Sequence, residues 1–302
     1  MAMWINITVF AVIFFVVIHC SHQGSDHVLD DLLKKATGVY ASSPKSSVHP
    51  LENTVLLTAS NYSAIKFLYN LKCFLDRLDF KFIVLSLDFA LYNDLVNNDE
   101  SILSYPIAAS AQINPLAASS SKMQTHNELN KLESIYRVLE RGYDVLFMEV
   151  DGVLLEDPAP YLQHPDLVFV HDSGGTCDPS AGQRESSGSG RDAGFFFIRS
   201  NPSTLAAVAR AMQLAEQGVG QTAGDSVHSM LYKVFKNDQS VQYAGSCYSL
   251  LAGSEEGGGK AACALDPCLF SSGSLPISGK NLFLTPTLSP YYLYICALHC
   301  SI

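Results

Sequence analysis

The stretch from Tyr143 to Pro158, YDVLFMEVDGVLLEDP, constrains the fold more than any other. Val145, Leu146, Phe147 and Met148 form an apolar run that gives way to two carboxylates, Glu149 and Asp151, with Val150 between them. A continuous apolar run, as opposed to an alternation, marks a strand covered on both faces, as in the parallel sheets of α/β proteins. Residues i and i+2 of an extended strand point the same way, so both acids are expected on one side at the carboxyl end of this strand. Ligands of open α/β sheets bind beyond those ends. Two carboxylates there can hold a divalent cation against a phosphate. The plainer alternative is a cap, or an ion pair with a Lys or Arg.

The surrounding chain supplies the rest of such a sheet. Thr54 to Thr58 (TVLLT) reads as a buried strand, and Ala59, Ser60 and Asn61 as a small polar loop after it. Ile65, Leu68, Leu71, Leu75 and Leu78 recur at helical spacing. A second buried strand, Phe82 to Leu87, ends at Asp88. Strand, loop, helix and strand in that order open a nucleotide-binding α/β sheet. Neither GxGxxG nor GxxxxGK[ST] is present, so dinucleotide and P-loop chemistry are not signalled.

Further on, Ser101 to Ser121 reads as an irregular connection. Thr125 and Glu128 form a capping-box pattern before a helix with Leu129, Leu132, Tyr136 and Leu139 on one face. Gly142 is placed to end that helix. Leu167 to Val170 and Gly194 to Ile198 read as strands, and the Gly/Ser-rich segment between them as a surface loop. Asn201 and Pro202 form an N-cap and N1 pair for a helix carrying Leu205, Val208 and Met212. Asp225 opens another helix, whose stripe is Val227, Met230, Leu231 and Val234.

With 48% hydrophobic residues in 302, the chain can bury a substantial core. Acidic residues outnumber basic ones 29 to 19 for a net charge of −10, with no basic run. Nucleic acid and anionic membrane surfaces are therefore not expected partners.

GYDVLFMEVDGVLLEDPAPYL resembles the DxD segment of the nucleotide-diphospho-sugar transferases of GT-A fold, in the group assigned to plant-type xylosyl- and arabinosyltransferases. The resemblance extends over roughly Thr54 to Gly273. It includes VLLTASN, the helix IKFLYNLKCFLDRL, the acid Asp88 after IVLSL, Lys131 one helix before the acids, Asp192-Ala193-Gly194-Phe195, Asp225, and LDPCLFSSG. It implies a GT-A-like, Rossmann-type mixed sheet flanked by helices in a single domain. It also implies metal-dependent transfer of a sugar from a nucleotide-sugar donor, a UDP-sugar, to a glycan or glycoprotein acceptor, with retention at the anomeric carbon.

In that reading Glu149 and Asp151 hold Mn²⁺ or Mg²⁺, and Ala59, Ser60, Asn61 and Asp88 line the nucleotide pocket. Lys131 offsets phosphate charge or is a solvated helix lysine. Asp225 is the catalytic candidate, near sugar or acceptor, or else a helix N-cap. Glu149 stands where the family usually has Asp, and the segment after Gly273 does not match the family's late His- or Asn-containing segment. A relative that binds without turnover is therefore the alternative. EVDGVLL also resembles the first motif of haloacid-dehalogenase phosphatases, although Glu149 occupies the position of their nucleophilic Asp and two strands precede it.

The organisation expected is a signal peptide or signal anchor over residues 1–22, a stem over 23–52, the transferase domain over 53–275 and a divergent tail over 276–302. From Ile5 to Ile18 only Asn6 and Thr8 interrupt an apolar run, which has the length of a signal-peptide core and falls short of the roughly 20 residues of a spanning helix. The secretory pathway follows, either the Golgi lumen as a type II membrane protein or secretion. There some of the eight cysteines can pair. Asn61-Tyr62-Ser63 is a glycosylation sequon, expected unmodified because it lies in the nucleotide loop.

Overall fold

The structure is a computed structural model. It describes residues 26–37, 51–107, 120–159, 162, 166–170, 194–217, 226–237, 241–244, 260–265, 270–271 and 283–284. The leader lies outside these, and no helix among the described residues is long and apolar enough to cross a membrane.

Its frame is an eight-stranded mixed sheet. In chain order, helix α1 (26–37) precedes strand β1 (Thr54–Ser60), helix α2 (Ile65–Arg77), β2 (Phe82–Ser86), α3 (Phe89–Asn98) and β3 (Leu103–Pro106). Then come α4 (Ser120–Glu140), β4 (Asp144–Met148), β5 (Val153–Leu154), β6 (Leu167–Val170) and β7 (Phe195–Ile198). The remainder is α5 (Pro202–Gln217), α6 (Val227–Asn237), β8 (Val241–Ala244), β9 (Lys260–Leu265), β10 (Phe270–Ser271) and β11 (Phe283–Leu284). The main sheet runs β3-β2-β1-β4-β7-β6-β9-β8, and β10-β11-β5 form a small second sheet.

β1, β2, β3 and β4 are parallel, whereas β7 is antiparallel to both β4 and β6. The chain steps outward from β1 to β2 and β3, then returns through α4 to β4 on the other side of β1. That reversal makes the β1/β4 carboxyl edge a topological switch point, where open α/β sheets leave a crevice for ligand. This is the mixed, helix-flanked α/β sheet that the sequence implies.

The apolar runs are explained by burial on both faces. Val55, Leu57 and Ala59 of β1, Val145 and Phe147 of β4, and Phe196 and Ile198 of β7 belong to one core, under α1, α4, α5 and α6. Their alternates, Leu56, Leu146, Met148, Phe195 and Phe197, belong to the other, under α2 and α3. Phe147 and Phe196 are register partners across β4 and β7, and their rings stack at 4.9 Å between centroids. Helix ends follow the expected chemistry at two sites. Asn201 Oδ1 accepts from the Ser203 and Thr204 amides at the start of α5, and Gly142 takes φ +82° just after α4.

Three expectations are corrected. Residues 26–37 are not stem: Leu29, Leu32, Leu33 and Ala36 recur at helical spacing and enter the first core. Asp26 and Asp30 of this helix pair with Arg141 at the end of α4. Helix α4 begins at Ser120, so Thr125 lies inside it and is not at its N-cap position. Residues 276–302 are not wholly a tail, because β11 pairs antiparallel with β5, Phe283 opposite Leu154 and Leu284 opposite Val153.

Candidate functional site

The residues expected to form the nucleotide loop meet at the carboxyl edge of β1 and β2. Ser60 is the register partner of Ser86, and its carbonyl accepts from the Leu87 amide at 2.8 Å. The next residue along, Asp88, uses its two oxygens differently. Oδ1 accepts from the Leu91 amide at 2.7 Å, capping α3. Oδ2 accepts from the Tyr62 amide at 2.9 Å and ties the two loops together. Asn61 Oδ1 accepts from Ser63 Oγ at 2.6 Å and the Ala64 amide at 3.2 Å, so its side chain caps the short 3₁₀ turn that follows.

Ala59 and Ser60 are buried, Ala59 in the core. The exposed rim is therefore made by Asn61, Tyr62 and Phe89. Tyr62 is 47% exposed and Phe89 70%, and Phe89 lies against Tyr92 at 6.4 Å between ring centroids. Exposed aromatic faces of this kind are stacking platforms for nucleobases. Tyr62 was not singled out from sequence, although it follows directly on the small polar loop.

Glu149 and Asp151 stand just past β4. The strand ends at Met148, and the Gly152 amide donates to the Glu149 carbonyl at 2.9 Å, so the acids occupy a turn. The i, i+2 argument of a strand therefore does not apply to them. What orients Glu149 is β7: its amide donates to the Gly194 carbonyl at 2.7 Å. Gly194 has φ +61°, a region that L residues with a side chain rarely adopt, and its missing side chain leaves room for that of Glu149. Leu57 of β1 is the register partner of Phe147. Continuing that parallel register brings Ala59 level with Glu149, so the acid turn and the polar loop share one edge of the sheet.

Lys131 is 6% exposed, which excludes a solvated helix lysine. Its Nζ lies 2.9 Å from Glu128 Oε1 and 3.1 Å from Glu149 Oε1. Burial alone would lower its pKa, but the charges of Glu149 and Glu128, together with hydrogen bonds to both, hold the ammonium above the ordinary lysine range. Glu149 thus does what the plainer sequence reading anticipated, pairing with a lysine, and the lysine is the one that the family resemblance points to. The second oxygen of Glu128 accepts from the Val227 amide at the start of α6, at 2.8 Å. Sequence reasoning missed this role, because it read Glu128 as part of a cap on its own helix.

No group of three potential metal-ligating side chains occurs among the described residues. The turn nonetheless offers two carboxylates, hard oxygen donors of the type that hold Mg²⁺ or Mn²⁺ together with substrate phosphates. Asp151 is exposed, and the Glu149 side chain is 28% exposed. Asp225, Asp192 and Ala193 lie outside the described residues, as do the loop before β7 and most of LDPCLFSSG.

Comparison with curated proteins found no match. Among solved structures, the glycosyltransferase GlyE of Streptococcus pneumoniae TIGR4 is 12% identical, with a TM-score of 0.43 over 78% of this chain and 54% of that one. This chain therefore spans about half the length of that protein. The galactosyltransferase LgtC, solved with donor and acceptor sugar analogs, is 14% identical, with a TM-score of 0.36 over 66% of this chain and 78% of that one. A family model described as nucleotide-diphospho-sugar transferase matches residues 79–275, more than half of the sequence, and its span includes Asp88, Lys131, Glu149, Asp151, Gly194 and Asp225. The chain belongs to the nucleotide-diphospho-sugar transferase family.

Proposed function

We propose that this protein is a glycosyltransferase that moves a sugar from a nucleotide diphosphate donor, a UDP-sugar, to a glycan or glycoprotein acceptor. The observation that carries the proposal is the acid turn Glu149–Asp151 at the β1/β4 switch point, within the matched family span. The loop Asn61–Tyr62 with Asp88 would receive the nucleoside, Tyr62 offering its ring to the base. Glu149 and Asp151 would hold Mn²⁺ or Mg²⁺. Bound there, such a cation neutralises the diphosphate and stabilises its departure. Lys131, held between Glu128 and Glu149, would offset phosphate charge at the same edge. Asp225, two residues before α6, is assigned to the sugar or acceptor side, and transfer with retention follows from the family resemblance.

The disulfide-bonded state of Cys73 fits an oxidising compartment. With the apolar run Ile5–Ile18 it supports placement in the secretory pathway, in the Golgi lumen behind a signal anchor, with secretion as the alternative.

One feature favours a second reading. An oxygen of Glu149 is already engaged by Lys131, which suits a family relative that binds a nucleotide sugar without transferring it. Calorimetric titration with UDP, with and without Mn²⁺, followed by donor hydrolysis over a panel of UDP-sugars separates the two. Manganese-dependent binding with hydrolysis supports the enzyme. Binding without hydrolysis supports the second reading, and neither from a folded protein overturns both. For the enzyme, Asp151→Ala abolishes metal-dependent turnover while the circular dichroism spectrum is retained. An unchanged rate removes Asp151 from the mechanism.

A further inference from the structure

Glu128 sits outside the acid turn and the nucleotide loop, yet it joins them to a third element. It is 8% exposed, and both of its oxygens are used. Oε1 meets Lys131 Nζ at 2.9 Å, one helical turn along the same face of α4. Oε2 accepts from the Val227 amide at 2.8 Å, across 99 residues of sequence. Lys131 in turn reaches Glu149 Oε1 at 3.1 Å, and the Glu149 amide is fixed to the Gly194 carbonyl at 2.7 Å. The polar chain Gly194–Glu149–Lys131–Glu128–Val227 therefore runs from the residue before β7 through the turn after β4 and α4 to the first residue of α6.

Building on the transferase reading above, we infer that Glu128 is a positioning residue, which holds the start of α6 in register with the acid turn through Lys131. Its carboxylate does two things that no apolar or cationic side chain can do together. It satisfies an otherwise unpaired amide at a helix N-terminus, where negative charge is favoured. It also shares with Glu149 one ammonium, whose three N–H donors serve both acids, so the two carboxylates set the position of Lys131 jointly. A shift of Glu149 moves Lys131, which pulls on Glu128 and loosens or tightens its bond to Val227. Asp225 lies two residues ahead of that bond in sequence. The donor edge and the first residue of α6 are thereby linked through two side chains of α4.

Hydrogen exchange on the full chain tests the link through Glu128→Ala, Glu128→Gln, Glu149→Ala and the double variant Glu128→Ala/Glu149→Ala. Exchange of the amides at 227–229 is expected to accelerate on the order of tenfold in Glu128→Ala. Glu128→Gln keeps a carbonyl acceptor for Val227 and is expected to restore most of the protection. The decisive comparison is Glu149→Ala. It is expected to speed exchange at 227–229 in the wild-type background and to add nothing once Glu128 is Ala. Exchange at 227–229 unmoved by Glu149→Ala, or effects of the two substitutions that simply add, overturns the inference. The exchange cycle needs no ligand, so its failure is distinct from failure of the transferase reading, which is the loss of UDP binding by wild-type protein in Mn²⁺.

Discussion

Gly194 and Glu149 are in contact through the space a side chain would fill: a Cβ on Gly194 would stand 2.6 Å from Cγ and 2.8 Å from Cβ of Glu149. Glu149 directly follows β4 and Gly194 directly precedes its antiparallel neighbour β7, and the glycine carbonyl accepts from the glutamate amide. The carboxylate is thus placed by the strand next door as much as by its own. Gly194→Ala has to accommodate both this clash and the left-handed backbone. The two together are expected to lower the free energy of unfolding by about 2–4 kcal/mol and to weaken manganese-dependent UDP binding. Urea denaturation and calorimetry measure the two effects, and an unchanged denaturation midpoint would show that Glu149 moves aside freely.

Lys131 stands between Glu128 and Glu149 and pairs with both. Removing its charge takes the shared cation away from Glu128, whose side chain is 11% exposed, and from Glu149, whose side chain is 28% exposed. Breaking a buried ion pair by deleting one partner costs about 3–5 kcal/mol, so Lys131→Met is expected to be strongly destabilising in chemical denaturation. Adding Glu128→Gln removes one of the two negative charges and should recover part of the loss. Equal stability of the single and double variants would show that the two acids do not feel each other.

Much of this site is written in local patterns. The apolar run before Glu149, the β-branched run of β1 and the acid after β2 each describe a strand and its carboxyl end. Parallel strands of one α/β unit place those ends on a common edge. Contacts between distant segments are not written that way. The spacing of Thr125 and Glu128 is that of a capping box, but a carboxylate caps whichever amide is in reach, and here that amide belongs to Val227. Leu29, Leu32, Leu33 and Ala36 do carry helical spacing. Polar neighbours on both sides concealed that the helix has a core to join.

Helix α1 supplies a test of that last point. Leu33 is fully buried in the core shared with α4 and α5. If residues 26–37 are part of the folded domain, Leu33→Ala should cost about 2–5 kcal/mol, as for a buried leucine. A leucine in a stem would change stability by no more than about 0.5 kcal/mol. Thermal and urea denaturation of the purified chain distinguish the two, and a wild-type midpoint for the variant would return α1 to the stem.

Asp144 opens β4 at the end of the strand opposite the acid turn, with its Oδ1 accepting from the Ser200 amide at 2.7 Å. Burial raises its pKa, and although the Ser200 hydrogen bond and the Arg199 charge oppose this, the net direction is upward, with Asp166 contributing. A carboxyl whose folded pKa lies above its unfolded value binds more protons when folded. Stability then falls as pH rises from the unfolded value through the folded one, and the cost is complete above it. Asn at this position keeps a carbonyl oxygen for Ser200 and carries no charge to desolvate. Asp144→Asn is therefore expected to raise Tm at pH 7, with the gain shrinking as the pH falls towards about 3.9, the ordinary Asp value, and vanishing below it. Melting curves between pH 3 and pH 8 measure this directly. A gain independent of pH would mean that packing is responsible, and a loss at pH 7 would mean that the Arg199 attraction outweighs burial.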